Sequence, residues 1–460
     1  MKIFTGLCIL SLLVSAYQSH ADIYDRIVRY AMHREHIPAA TIAIIRNGKC
    51  IKEKAYGVAD VELRTPASVK DVFEIGSMTK QFTATCILLL RHEGKLRLSD
   101  TLSQYLSDIP DAWKPITLEQ LLTHTSGIPN FTAHGDFFQI VRNPETPEKI
   151  LSLVNRLPLD FPSGSKYEYS NTNYYLLSLI IEKITRMSLF DFMSKNILSP
   201  LHMKATIPTG PDKIVPNRAP GYLYDHHLQN EPFMYSDSVL GAGFLLSDLD
   251  DLIKWNRALD QNTILSESEK KLMWTPAILN DGSKTGYGLG WALGNVNGHL
   301  LVEHAGGTAG YSTIISKYLA DHITIILLTN LFNADVAGIS LHIAYEIVPG
   351  MKIKAKIIPD NNPERTFRLT RILEGIASRH MDSNDFTSDM YKVLTGDQGV
   401  EAIRILSSQG ELKKLQLVGQ KVEGENTILT YKAIYAAGNL AVTFTLRQDG
   451  KEEGFFVSFD

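Results

Sequence analysis

The sequence predicts an α+β fold: an antiparallel sheet flanked by helices in a three-layer arrangement, with a large helical insert and a small α+β module behind it. Three observations predict it. Strand-like runs lie near both ends of the first 350 residues, around Asn47-Gly48 and across "LVEHAGGTAGYSTIISKYLADHITIILLTN". Between them, from Ser99 to about Asn230, short helical patterns alternate with Pro- and Gly-punctuated loops, so two separated groups of strands must meet in one sheet. The composition then changes at "KIIPDNNPERTF", whose Pro359, Asn361, Asn362 and Pro363 read as a linker.

Taken in order, residues 1–21 read as a secretory signal. Lys2 supplies a positive start, Ile3 to Val14 a short apolar run, and Ser19-His20-Ala21 a small-x-small cleavage site. Export to a periplasmic or extracellular location follows. Residues 22–350 form the main domain. It opens with a helix over Tyr24 to His36 and two strands joined by Asn47-Gly48, a pair that suits a tight hairpin. A helix beginning near Ser77 carries Phe82, Cys86, Leu89 and Leu90 at helical spacing and stops around His92-Glu93-Gly94. "NYYLLSLIIEKITRM" is apolar on most sides and reads as a buried helix. The later strands turn at Ala320-Asp321-His322, and a helix from about Asp335 to Ile347 closes the domain. After the linker, 351–363, residues 364–460 give a helix over Thr366 to Ala377 and several regularly spaced strands.

Composition excludes several classes. With 46 Lys and Arg against 50 Asp and Glu, the net charge is -4, and the basic residues are dispersed, which argues against a nucleic-acid partner. After the signal no segment reaches the length of a membrane span. Cys50 and Cys86 are left in the mature chain, and their spacing does not decide whether they pair. The histidines His226-His227 and His33/His36 lack metal-ligand spacing, so neither a metal nor another cofactor is expected.

The chemistry concentrates in "FEIGSMTKQFTATCILLL". Ser77 and Lys80 share a helical face, and a lysine whose burial favours its neutral form can take the proton of a serine hydroxyl. S-x-x-K also occurs at Ser163/Lys166, in a loop, and at Ser268/Lys271, on a charged helix face. Only Ser77 precedes an apolar helix able to desolvate its lysine. "KYEYSNTNYY" adds Tyr169 as a proton relay and Asn171 as a carboxamide that can hold both lysine and substrate. "EHAGGTAGYS" adds His304, Gly306 and Gly307, where two glycines allow close backbone approach and the Gly307 N–H is a candidate oxyanion donor. Alone, each of these stretches reads more readily as a helix cap or a glycine-rich strand entry than as a site.

In this order the three stretches resemble the serine β-lactamase/penicillin-binding-protein superfamily, most of all its class C β-lactamase-like branch with D,D-peptidases and esterases. "ITLEQLLTHTSGIPNF", "GAGFLLSDLDDLIKWNRAL" and "YGLGWALG" support the resemblance, which runs from Ile23 to Ile347. Lys284-Thr285-Gly286 matches the family's usual third motif but sits in a polar turn, so that place is assigned to His304. The resemblance implies a β-lactamase/transpeptidase-like fold and a covalent acyl-enzyme on Ser77, with Lys80 and Tyr169 moving protons. Asn171, Gly306 and Gly307 then bind substrate, and His304 lines the cleft, where it meets a substrate carboxylate. Histidine in place of lysine favours a D,D-peptidase or esterase acting on D-amino-acid peptides or small esters. A class C β-lactamase, and a non-hydrolytic penicillin-binding scaffold, are the alternatives.

Overall fold

The computed structural model describes residues 22–134, 142–351, 356–396, 403, 406, 407, 409–436 and 439–459. The proposed signal, 1–21, lies outside them. The chain divides into two compact units, Met1–Lys352 and Ile353–Asp460.

The first unit opens with α1, Ile23–Glu35, capped by the Asp22 carboxylate accepting from the Asp25 N–H and closed by His36 in the left-handed region. Strands β1, Ala39–Arg46, and β2, Lys49–Asp60, form the expected hairpin. Asn47 and Gly48 both take positive φ, 51° and 73°, as a two-residue turn of this kind requires. A short β3, Thr65–Pro66, follows, and the sheet resumes with β4, Ala292–Val296; β5, His299–Thr308; β6, Tyr311–Tyr318; and β7, Ile323–Thr329. The order is β3-β2-β1-β7-β6-β5-β4, antiparallel throughout. β1 and β7 join the two ends of the unit, with Ala40 opposite Thr329 and Arg46 opposite Ile323.

Strand alternation explains the three layers. Ile42, Ile44, Ile325 and Leu327 pack with Val28 of α1 and with Ile339 and Ile343 of the closing helix, Val336–Ile347. Their neighbours Ala43, Ile45, Ile326 and Leu328 pack against the helical insert, with Phe82 and Trp255. Residues on both faces are buried, which is why "ITIILLT" reads as a continuous apolar run and not as an alternation.

Within the insert, α2 spans Thr79–His92, α3 Leu118–Leu122, α4 Asn171–Thr185 and α5 Leu240–Gly243. α4 is buried over most of its length, as its composition predicts. Cys86 is buried in α2 and Cys50 exposed on β2, and both are free thiols.

The second unit has its own core. A four-stranded antiparallel sheet, β8 (Leu412–Glu423), β9 (Asn426–Tyr435), β10 (Asn439–Leu446) and β11 (Glu452–Phe459), packs Leu429, Tyr431, Val442 and Phe444 against Leu369, Ile372 and Leu373 of the helix Pro363–Ser378. That helix begins three residues earlier than the apolar spacing predicts. Asn362 caps it and Pro363, with no N–H to satisfy, occupies its first turn.

Candidate active site

Ser77 lies in a one-turn 3-10 segment, Gly76–Met78, that runs into α2, and is not a residue of the α-helix itself. Ser77 and Lys80 lie three residues apart across this join, on one face of it, so the lysine side chain reaches back to the Ser77 hydroxyl. The turn is pressed onto β5. A Cβ on Gly76 (φ +49°) would stand 2.9 Å from the Gly307 nitrogen, and one on Gly306 would stand 1.9 Å from the Ile75 carbonyl oxygen. That oxygen also accepts from the Thr313 hydroxyl on β6 at 3.1 Å. The glycine expected to admit a substrate backbone therefore does something else: Gly306 admits the segment carrying Ser77. Gly307 differs, because a Cβ there would meet nothing within 4 Å, and the residue lines the cleft.

Lys80 is fully buried. Its Nζ lies 2.9 Å from Ser77 Oγ, 2.8 Å from Asn171 Oδ1 and 2.6 Å from the Ala242 carbonyl oxygen of α5. No carboxylate pairs with it among the described residues, and burial lowers its pKa well below the ordinary lysine value. The Tyr169 ring, 4.8 Å from Nζ, favours the charged form, but desolvation outweighs it. A neutral amine has two N–H groups and one lone pair. Two of the three neighbours, the Asn171 and Ala242 oxygens, can only accept, so they take the two hydrogens. The lone pair is left facing the Ser77 hydroxyl.

Asn171 opens α4 behind Ser170, whose backbone is extended. The Asn171 Nδ2 donates to Thr132 Oγ1 at 3.0 Å, which turns the amide oxygen toward Lys80. Tyr169 is half-buried within hydrogen-bonding reach of Ser77, and desolvation raises its pKa, so the phenol keeps its proton at neutral pH.

His304 lies on β5, but the structure does not place it as a cleft-lining group for a substrate carboxylate. Its Nδ1 is 2.7 Å from the Ala305 carbonyl, which can only accept, so Nδ1 carries the ring proton. Nε2 then accepts from the Tyr287 hydroxyl at 2.7 Å. Both nitrogens are engaged, and burial with Lys80 nearby pushes its pKa down to about 3.

The cleft has a volume of about 190 Å³ and is bounded by Ser77, Asn171, Gly307 and Thr132, with Met234, Val239, Ala309 and Phe332 as apolar walls. Ser163 sits in a loop where Lys166 pairs with Glu168, Lys271 is exposed on the helix Glu267–Met273, and Lys284 is exposed in its turn. Sequence reasoning missed His124, Tyr287 and Thr132 as members of the site. The first two lie in "ITLEQLLTHTSGIPNF" and "YGLGWALG", and their positions beside the catalytic stretches come from tertiary packing. Among the described residues no cluster of His, Cys, Asp and Glu could hold a metal, and no helix is long and apolar enough to cross a membrane.

The family model Beta-lactamase matches residues 24–345. Penicillin-binding protein 4* of Bacillus subtilis is 31% identical over 309 residues, covering 63% of this chain and 67% of its own. Protein flp of Staphylococcus aureus is 29% identical over 338 residues, covering 70% and 66%. The chain thus spans about two thirds of these relatives' length. Among solved structures, an octameric penicillin-binding protein homologue from Pyrococcus abyssi superposes with a TM-score of 0.64 at 24% identity over 95% of both chains, a likeness of fold. A D-stereospecific amidohydrolase from Streptomyces sp. superposes with a TM-score of 0.60 at 25% identity, over 69% of this chain and 97% of its own. The chain belongs to the Beta-lactamase family and is a serine hydrolase of that family.

Proposed function

We propose that the protein is an exported hydrolase that forms a covalent acyl-enzyme on Ser77 and acts on amides, peptides or small esters of D-amino acids. The observation that carries this is the Lys80 arrangement, in which two fixed acceptors occupy both hydrogens of a neutral amine and aim its lone pair at Ser77 Oγ. Lys80 takes the hydroxyl proton as Oγ attacks the substrate carbonyl carbon. The Ser77 and Gly307 N–H groups receive the negative charge on the carbonyl oxygen. Tyr169, a phenol at neutral pH, hands a proton to the leaving nitrogen or oxygen and is reprotonated from Lys80. Water then cleaves the ester by the same steps in reverse.

The cleft narrows the substrate. Its described lining contains no Lys, Arg or His, and His304 is neutral. A free carboxylate on the leaving group meets no cation among these described residues. This favours amides and esters over a β-lactam or a D,D-carboxypeptidase substrate, and it accords with the amidohydrolase neighbour.

Intact-protein mass after exposure to a fluorophosphonate, and separately to a penicillin, tests the proposal against Ser77→Ala. One fluorophosphonate adduct, absent from the variant, is expected. Its absence from the wild type would refute the acyl-enzyme, and rapid turnover of a penicillin adduct would make the protein a β-lactamase instead. Export is tested by the N-terminus of the secreted protein, expected at Asp22.

A further inference from the structure

His124 belongs to no motif that the chemistry above uses, yet it is the most heavily engaged side chain behind the site. It is fully buried, and it follows α3 with φ +55°, a left-handed conformation that a residue other than glycine rarely holds. Other residues of the chain, His36 among them, hold positive φ at helix ends and turns; what sets His124 apart is that both its backbone and its ring are bonded to one segment. The His124 carbonyl accepts from the Glu168 N–H at 3.0 Å, and its ring Nδ1 accepts from the Ser170 N–H at 3.2 Å. The two amides flank Tyr169. Between them the imidazole lies against the Tyr169 ring, centroids 4.3 Å apart, with Tyr287 at 4.8 Å and Tyr174 at 5.2 Å.

The tautomer follows from the bonds. A nitrogen that accepts from an amide carries no proton, so the ring is neutral with its proton on Nε2. Among the described residues Nε2 has no hydrogen-bond partner, and it is enclosed by tyrosine rings. His304, one tyrosine away, has the opposite tautomer, with its proton on Nδ1.

We infer that His124 is a positioning residue for acyl transfer: its carbonyl and Nδ1 grip the chain on both sides of Tyr169 and its ring backs the phenol, so that the Tyr169 hydroxyl stays in register with Ser77. The inference rests on the reading of Ser77 as nucleophile and Tyr169 as proton relay. It adds that the relay is held through two backbone amides, and that an acceptor atom at the Nδ1 position is what the site requires of residue 124.

The test uses a fluorophosphonate as probe, because labelling of Ser77 needs no known substrate, and separates the limiting rate, kinact, from the binding constant, KI. Fluoride leaves without a proton from Tyr169, so kinact senses the phenol through its hydrogen bond to the Ser77 side chain, which orients Oγ for attack. His124→Phe keeps the ring and removes the acceptor. His124→Asn removes the ring but keeps an acceptor in the Nδ1 position, and asparagine tolerates positive φ. The Phe variant is expected to lose about tenfold or more in kinact with KI within about twofold, as a small misalignment of reacting groups does. The Asn variant is expected to recover most of that loss, which a purely space-filling role would not produce. Wild-type kinact in the Phe variant, or equal losses in both, overturns the inference. Should the Phe variant not fold, 15N spectra of histidine-labelled wild-type protein decide it. The resonance missing from His124→Asn must report an Nε2-protonated neutral ring across neutral pH, and an Nδ1-protonated or charged ring overturns the clamp. A wild type that takes no label refutes the nucleophile itself, and the spectra still report on His124.

Discussion

Gly306→Ala is the most direct probe of how the nucleophile is held. A methyl group there would stand 1.9 Å from the Ile75 carbonyl oxygen and 2.6 Å from Thr313 Oγ1. Real Cβ contacts do not fall below 3.0 Å, so β5 and the Ser77 turn must part by about 1.1 Å, the difference between 3.0 and 1.9 Å. The obstructing atom is backbone, tied to β6 by Thr313, and cannot rotate away. Forced overpacking of this kind costs about 1–3 kcal/mol. The same movement carries Ser77 away from Gly307, and a misplacement of about 1 Å costs on the order of 100-fold in rate. The assay is fluorophosphonate labelling of Ser77 beside thermal unfolding, with Gly307→Ala as the comparison. A Cβ on Gly307 meets nothing within 4 Å, so that variant should melt with the wild type and differ only in how it accepts bulky acyl groups. If Gly306→Ala labels at the wild-type rate, the docking of the Ser77 turn on β5 is not what positions the nucleophile.

Other outcomes follow from the same geometry. Lys80→Met, similar in length and uncharged, should fold and lose about 10²- to 10⁴-fold in labelling rate, the usual contribution of a general base. In the wild type, labelling should fall as pH drops through the lowered Lys80 pKa, because only the neutral amine accepts the proton, and should show no further rise near the ordinary lysine value of 10.5. An increase between about pH 9 and 11 would contradict the buried neutral lysine. Arg218→Met should destabilise, since it strips Glu74, 1% exposed, of the guanidinium at 3.2 Å, but by less than the about 3–5 kcal/mol of a stranded buried charge, because burial raises the Glu74 pKa and lets the acid take up a proton; chemical denaturation measures this. In the chain beginning at Asp22 a thiol reagent should modify Cys50 promptly and Cys86 only on unfolding, because one is exposed and the other fully enclosed.

Much of the site could be read from sequence because its chemistry is local. Ser77 and Lys80 lie three residues apart, so one turn of helix is enough to bring them together, and Tyr169 and Asn171 straddle a single helix start. The hairpin at Asn47-Gly48 and the apolar strand Ile323–Thr329 were equally plain, since turn chemistry and double-sided burial both mark the sequence directly. His304 was read differently. Its residue type suggested a titrating cation, but burial holds it neutral, while the Ala305 carbonyl and the Tyr287 hydroxyl 17 residues away fix which ring nitrogen carries its proton.

The sequence by itself determined the family, the α+β order and the residue types that can run acyl transfer, because these depend on spacing, periodicity and side-chain chemistry along a short stretch of chain. Tertiary structure alone decided which hydrogen goes where. The Ala242 carbonyl lies 162 residues from Lys80 and the Asn171 amide 91, and without both acceptors the lysine lone pair would have no fixed direction. Gly306 belongs to the same class: its missing side chain is needed by Ile75, a residue more than two hundred positions away, and only the packed molecule brings the two within contact.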